Sequence, residues 1–263
     1  MDYLFNAWEE IKARLKDKLL FIFLDFDGTL TPIVATPEKA ALSQETRGVL
    51  ERISGNPELK LAFISGRSLK DIKNKIGLEN VIYSGNHGLE IEGPKIKFEP
   101  LISAGFRKIL ERIKSELENK LVSVKGAFVE DKGLSLSFHY RLVEEKQIPL
   151  AKAAFHEVTL SDLEGKRIKI KPGKKVLQVV PASGWDKAKM VLWILAREEV
   201  FTSEKKDICP VYIGDDLTDE DVFNALKKRG LTVFVGESNQ SNAQYYLKNP
   251  REVLDFLKRI SDI

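Results

Sequence analysis

Two carboxylates carried by an apolar run into a glycine turn constrain this chain more than any other feature. Residues 19–24 read Leu-Leu-Phe-Ile-Phe-Leu, and Asp25-Phe26-Asp27-Gly28-Thr29-Leu30 follow. The run is short and rich in β-formers, so it predicts a buried strand rather than a helix. Alternation along an extended segment puts Asp25 and Asp27 on one side. They would lie at the carboxyl end of a parallel strand, where open α/β sheets keep their ligands. Close carboxylates raise one another's pKa unless a cation neutralises them. The pair therefore predicts a Mg2+ site with a carboxylate left over for chemistry. Asp27-Gly28 alone would be an ordinary turn; the whole string is not.

Other apolar runs repeat the pattern. Leu59 to Ile64 predicts a second strand, stopping at Ser65-Gly66-Arg67, and Val81 to Ser84 a third, stopping at Gly85-Asn86-His87-Gly88. Helical spacing marks residues 2–18, a helix opened by Ser43 and ending near Gly55, and another over 68–76. Strands alternating with helices predict a Rossmann-like, doubly wound parallel sheet of the α/β class. From about Ser103 the rhythm changes to helix then hairpin, twice over. Helices are expected over 103–117 and 148–163, with strand-like pieces over 127–130, 134–141, 167–171 and 175–180. That order predicts an α+β cap, residues 103–181, inserted into a core made of 1–102 and 182–263. The core resumes with a helix over 185–200, a strand over 211–213, a helix over 219–229, a strand over 231–235 and a closing helix over 250–260.

Bulk properties exclude several classes. A length of 263 residues suits one large α/β domain or a core with an insert. The formal charge of +3 is spread along apparent helix faces, which gives no case for a nucleic-acid partner. No stretch has the length of a membrane span, and Met1-Asp2-Tyr3 does not open a signal peptide, so a cytoplasmic protein is expected. The single cysteine, Cys209, is expected as a buried core thiol.

Three further stations complete the expected site. Ser65-Gly66-Arg67 follows a strand, so its hydroxyl and amides can face the same crevice and bind phosphate oxygens. Arg67 would help orient the phosphate or form a surface ion pair. Lys187, at the start of a helix, would offset the charge of Asp25 and of a transferring phosphoryl group. Gly214-Asp215-Asp216-Leu217-Thr218-Asp219 ends an apolar strand in acid, a second carboxylate source for a hard cation.

D-F-D-G-T-L, S-G-R, Lys187 and G-D-D-L-T-D resemble the four motifs of the haloacid-dehalogenase-like phosphohydrolases. The resemblance implies Asp25 as a nucleophile forming an aspartyl-phosphate and Asp27 as general acid and base. It implies Ser65 as a phosphate ligand, and Mg2+ held by Asp25, the Asp27 carbonyl and Asp215, with Asp216 and Asp219 behind. The strings Gly85 to Glu90, Val129 to Lys132, Leu134 to Arg141 and Gly173 to Leu177 narrow this to a resemblance to trehalose-6-phosphate phosphatases. By that resemblance Glu130 and Lys132 bind sugar hydroxyls, Asn86 and His87 lie near the crevice, and a trehalose-6-phosphate synthase is an expected partner. Gln178 and Val180 stand where the family usually has Glu and Arg, and Ala188 stands for Gly. These departures leave a related sugar phosphatase open, acting on glucosylglycerol phosphate, sucrose phosphate or mannosyl-phosphoglycerate.

Overall fold

The computed structural model describes residues 1–99, 103–201, 207–237 and 240–263. In chain order the first part holds β1 (Asp2–Tyr3), α1 (Trp8–Leu15), β2 (Leu19–Asp25), α2 (Gln44–Ser54), β3 (Leu59–Ile64), α3 (Leu69–Ile76), β4 (Ile82–Gly85), β5 (Glu90–Gly93) and β6 (Ile96–Phe98). The middle holds α4 (Ala104–Lys120), β7 (Phe128–Asp131), β8 (Leu136–His139), α5 (Ile148–Glu164), β9 (Ile168–Gly173) and β10 (Val176–Pro181). The last part holds α6 (Lys187–Phe201), β11 (Ile208–Gly214), α7 (Glu220–Leu226), β12 (Leu231–Val235), β13 (Tyr245–Leu247) and α8 (Pro250–Ser261). The chain divides into two compact units, residues 1–98 with 185–263, and residues 99–184.

The first unit is built on one sheet of order β1-β13-β12-β11-β2-β3-β4-β5-β6 among the described residues. Pairing is parallel from β1 to β4, and β5 and β6 add an antiparallel edge. Its central strand β2 is buried along its whole length. Leu20, Ile22 and Leu24 face one apolar layer with α1, α2, α3 and α8, while Phe21 and Phe23 face the other with α6 and α7. A strand covered on both faces needs an unbroken apolar run, which is what residues 19–24 supply. Helix starts follow the side-chain capping rule: Ser43, Ser68 and Asn249 accept from amides in the first turns of α2, α3 and α8.

The second unit pairs β7-β8-β10-β9 antiparallel. Leu136, Phe138, Leu177 and Val179 join Phe106, Leu110, Ile113 and Phe155 of α4 and α5 in its own core. Ser103 caps α4. Asp162 is buried there between the guanidinium groups of Arg112 and Arg167.

Three expectations are corrected. The helix over 2–18 is α1 alone: Asp2 and Tyr3 pair in parallel with Tyr245 and Tyr246, and Leu4–Ala7 is a 3-10 turn. The helix over 219–229 stops at Leu226, whose carbonyl accepts from the amides of Arg229 and Gly230. The hairpin of β5 and β6 and the short strand β13, which lies between β1 and β12, were not expected at all. Residues 100–102, which include the expected boundary at 102, lie outside the described residues. No described helix is long and apolar enough to cross a membrane.

Cys209 is buried in β11, and burial pushes its thiol up from the usual range. The native protein is therefore expected to react with a thiol reagent only as fast as it opens, because the thiolate is the nucleophile. Labelling in urea should track unfolding, and rapid labelling of the native protein would contradict this packing.

Candidate active site

Strand order alone brings the stations together. β11, β2 and β3 are adjacent and parallel, with Ile213 beside Leu24 and Asp25 beside Ile64. Asp215, Asp25 and Ser65 therefore leave neighbouring strand ends on one edge of the sheet. Asp25, Asp215 and Asp219 each offer a carboxylate oxygen within 4.8 Å of the others, and all three are buried.

Glycine makes this approach possible. Gly28 has φ of +91°, and a Cβ there would stand 2.0 Å from Asp215 Oδ2. Thr29 Oγ1 donates to Asp215 Oδ1 at 3.4 Å. Gly28→Ala combines left-handed backbone with an overlap, and is expected to lower stability by about 2 kcal/mol. Urea unfolding measures this, and an unchanged midpoint would contradict the tight packing of Asp215.

Lys187 is the cation of the cluster. Its Nζ lies 3.0 Å from Asp25 Oδ1 and 2.8 Å from Asp219 Oδ1, and only 3% of its side chain is exposed. Burial works against the ammonium, but Asp219 and Asp25 outweigh it and hold its pKa well above that of ordinary lysine. For Asp25, burial dominates and pushes the carboxyl well above the usual range. Lys187 pulls the other way, and Asp219, Asp215 and Asp27 push further up. One lysine does not balance these acids, and a further positive charge would favour an ionised Asp25. The donor set is hard oxygen, which suits a divalent cation such as Mg2+ or Mn2+.

Asp219 is near enough to join a shared ion, yet protein donors already fill it. Oδ1 accepts from Lys187 and from Tyr212 Oη at 2.6 Å, and Oδ2 accepts from the amides of Asp215 and Asp216 at 3.1 and 3.0 Å. A carboxylate has about four acceptor positions. Asp219 therefore holds Lys187 and the 214–216 turn, leaving Asp25 and Asp215 as the better ligands. Gly214 lets it approach, since a Cβ there would lie 2.4 Å from Asp219 Cγ.

Asp27 points elsewhere. Arg67 grips it with Nε to Oδ2 at 2.7 Å and Nη2 to Oδ1 at 2.6 Å. The same guanidinium donates to Asp71 and to the Pro37 carbonyl and lies 5.2 Å from the centre of the Phe26 ring. Arg67 is thus a buried clamp on Asp27 rather than a surface residue. Ser65 is buried, and its Oγ accepts from the Arg67 amide at 3.2 Å; Gly66 lies between them. Asp186 caps α6 by accepting from the Lys189 amide. Ala188 follows Lys187 within that helix.

Asn86 and His87 are buried. Asn86 Nδ2 donates to Glu90 Oε2 at 2.6 Å. In the second unit, Glu130 Oε2 lies 2.8 Å from His139 Nε2 and 3.6 Å from Lys132 Nζ. The His139 ring stacks on Phe128. Gln178 stands between Ser137 and Lys171 in the strand register.

Tyr212 and Thr29 were missed from the sequence. Thr29 sits inside the first motif, so its hydroxyl was available to that reading. Tyr212 resembles any aromatic in a buried strand; only its place two residues before Gly214 hints at more.

Residues 23–251 match the trehalose-phosphatase family. A probable trehalose-phosphate phosphatase 4 from Oryza sativa subsp. japonica is 36% identical over 97% of this chain and 69% of its own length. The C-terminal domain of a Candida albicans trehalose-6-phosphate phosphatase superposes with a TM-score of 0.82 at 26% identity, covering 97% of this chain and 96% of that one. A haloacid-dehalogenase-like hydrolase from Bacteroides thetaiotaomicron shares the fold, with a TM-score of 0.65 at 19% identity, covering 92% and 100%. The acidic cluster around a buried lysine thus stands in a haloacid-dehalogenase-like fold, and the chain belongs to the trehalose-phosphatase family of phosphoric monoester hydrolases.

Proposed function

We propose that the protein is a Mg2+-dependent trehalose-6-phosphate phosphatase working through an aspartyl-phosphate on Asp25. The observation that carries the reading is the convergence of Asp25 and Asp215 beside Lys187. Asp25 and Asp215, with the Asp27 carbonyl, would hold Mg2+. Bound there, the ion would neutralise phosphoryl charge and so stabilise the transition state.

The chain's own groups perform the steps. Ser65 Oγ binds a phosphate oxygen, with Gly66 beside it in the loop. An Asp25 oxygen attacks phosphorus in line, forming an acyl phosphate as the bond to the sugar oxygen breaks. Asp27, released from Arg67 and protonated, gives that oxygen its proton. It then takes a proton from water, which attacks the phosphorus and returns Asp25 as a carboxylate. Lys187 stays beside Asp25 and balances charge as it shifts between carboxylate and phosphoryl group. On the resemblance, Glu130 and Lys132 read sugar hydroxyls through charge-assisted bonds.

Gln178 and Val180 favour a second reading, a phosphatase for another sugar phosphate, because a neutral amide and an isopropyl group replace charged sugar contacts. Phosphate release from a panel of sugar phosphates, with Mg2+ and with a chelator, separates the readings. Expected is release highest for trehalose 6-phosphate and lost on chelation. Equal rates across the panel would sink the disaccharide assignment, and release untouched by chelator would sink the metal.

A further inference from the structure

Between β4 and β5 the backbone runs left-handed for three residues, Asn86, His87 and Gly88, with φ of 49°, 58° and 98°. For a residue with a Cβ this costs about 1 kcal/mol or more, and it persists only where the surroundings over-determine it. Here the surroundings are the Ser65–Arg67 loop. The Asn86 amide donates to the Arg67 carbonyl at 2.7 Å, and the His87 amide to the Ser65 carbonyl at 3.0 Å. The Ser65 amide donates back to Ser84 at 3.0 Å. Both ends of the loop are tied to this one turn. Gly85 admits no side chain, since a Cβ there would lie 2.3 Å from the Leu69 nitrogen.

The Asn86 side chain closes the brace. The Glu90 oxygen that accepts from Asn86 Nδ2 also takes the Leu69 amide, at 3.4 Å, where α3 begins. One carboxylate oxygen therefore links the turn to the helix that continues the loop. The opposite end reaches Lys187: the Gly88 carbonyl accepts from Trp185 Nε1 at 2.7 Å, two residues before that lysine.

We infer that Asn86 and Glu90 are a positioning pair, holding the Ser65–Arg67 loop in its phosphate-binding shape without touching the substrate. The inference rests on the reading of that loop as the phosphate site. A sugar contact by Asn86 would have different consequences, because a loop that binds phosphate serves every phosphate ester alike.

The test compares trehalose 6-phosphate with p-nitrophenyl phosphate, which has no sugar, and measures inhibition by inorganic phosphate. Asn86→Asp sets one carboxylate against another. Asn86→Asp with Glu90→Gln exchanges donor and acceptor and restores the bond. Expected for Asn86→Asp is phosphate inhibition weakened about tenfold, the size of one charge-assisted hydrogen bond. The value of kcat/KM should fall by the same factor on both substrates, and the double variant should recover most of each loss. A loss confined to the sugar ester would make Asn86 a substrate contact and overturn the inference. Unchanged phosphate inhibition, or no recovery in the double variant, would also overturn it. Should Asn86→Asp fail to fold, Glu90→Gln alone must weaken phosphate binding while its unfolding midpoint holds, and unchanged binding would be contrary. If the native protein hydrolyses neither ester, the proposed function fails; phosphate binding by calorimetry then still tests the pair.

Discussion

Asp25→Asn is expected to abolish phosphate release while leaving the fold intact. Asparagine keeps the shape of the side chain and an oxygen for Lys187, but it cannot form a stable acyl phosphate. Removing a nucleophile that acts as part of a unit costs at least about 10^4-fold in turnover. Stability should move the other way or not at all. Burial and three neighbouring carboxylates hold the Asp25 carboxyl above its usual range, so an ionised Asp25 strains the metal-free protein near neutral pH. The amide removes that charge, and Lys187 keeps Asp219. Turnover and urea midpoint measured together check this. Residual turnover near the native rate would exclude Asp25 as the nucleophile.

The largest loss of stability is expected from Asp219→Ala. Four donors converge on that carboxylate: Lys187, the Tyr212 hydroxyl and the amides of Asp215 and Asp216. Asp219 itself is fully buried. Alanine leaves all four facing a void and leaves Lys187 with Asp25 as its remaining carboxylate in the cluster. Breaking a buried ion pair from one side costs about 3–5 kcal/mol. Asp219→Asn, which keeps the volume but places an amide among donors, should fall between alanine and the native residue. The unfolding free energy in urea measures both. A change below about 1 kcal/mol for alanine would mean that these bonds do not carry the turn, since that is the size of a surface effect.

How much was readable in advance follows from what each residue needs. Asp25, Ser65 and Asp215 were legible because each directly ends an apolar run, and strand order makes such ends neighbours. Lys187 was legible only through its place at a helix start beside recognisable motifs. The clamp of Arg67 on Asp27 spans forty positions of sequence, and nothing local distinguishes a guanidinium aimed at a carboxylate from one aimed at a phosphate. Asp219 was seen as an acid behind the metal; that it holds Lys187 depends on four partners, two of them backbone amides. The missed strands have a common cause. β5, β6 and β13 are three or four residues long and lie toward the edges of the sheet. Their apolar alternation is too brief to exceed the noise of a turn-rich segment. β1 is shorter still, and its pairing with β13 is set by residues at the far end of the chain.

The most direct measurement is a binding titration with Mn2+, followed by its paramagnetic signal, on the native protein, Asp25→Asn and Asp215→Asn. Expected is one tight ion per native chain, displaced by Mg2+, and a large loss of affinity in each variant. Ion binding of equal strength in all three proteins would mean that the ends of β2 and β11 do not share a cation, and the site drawn here would be wrong.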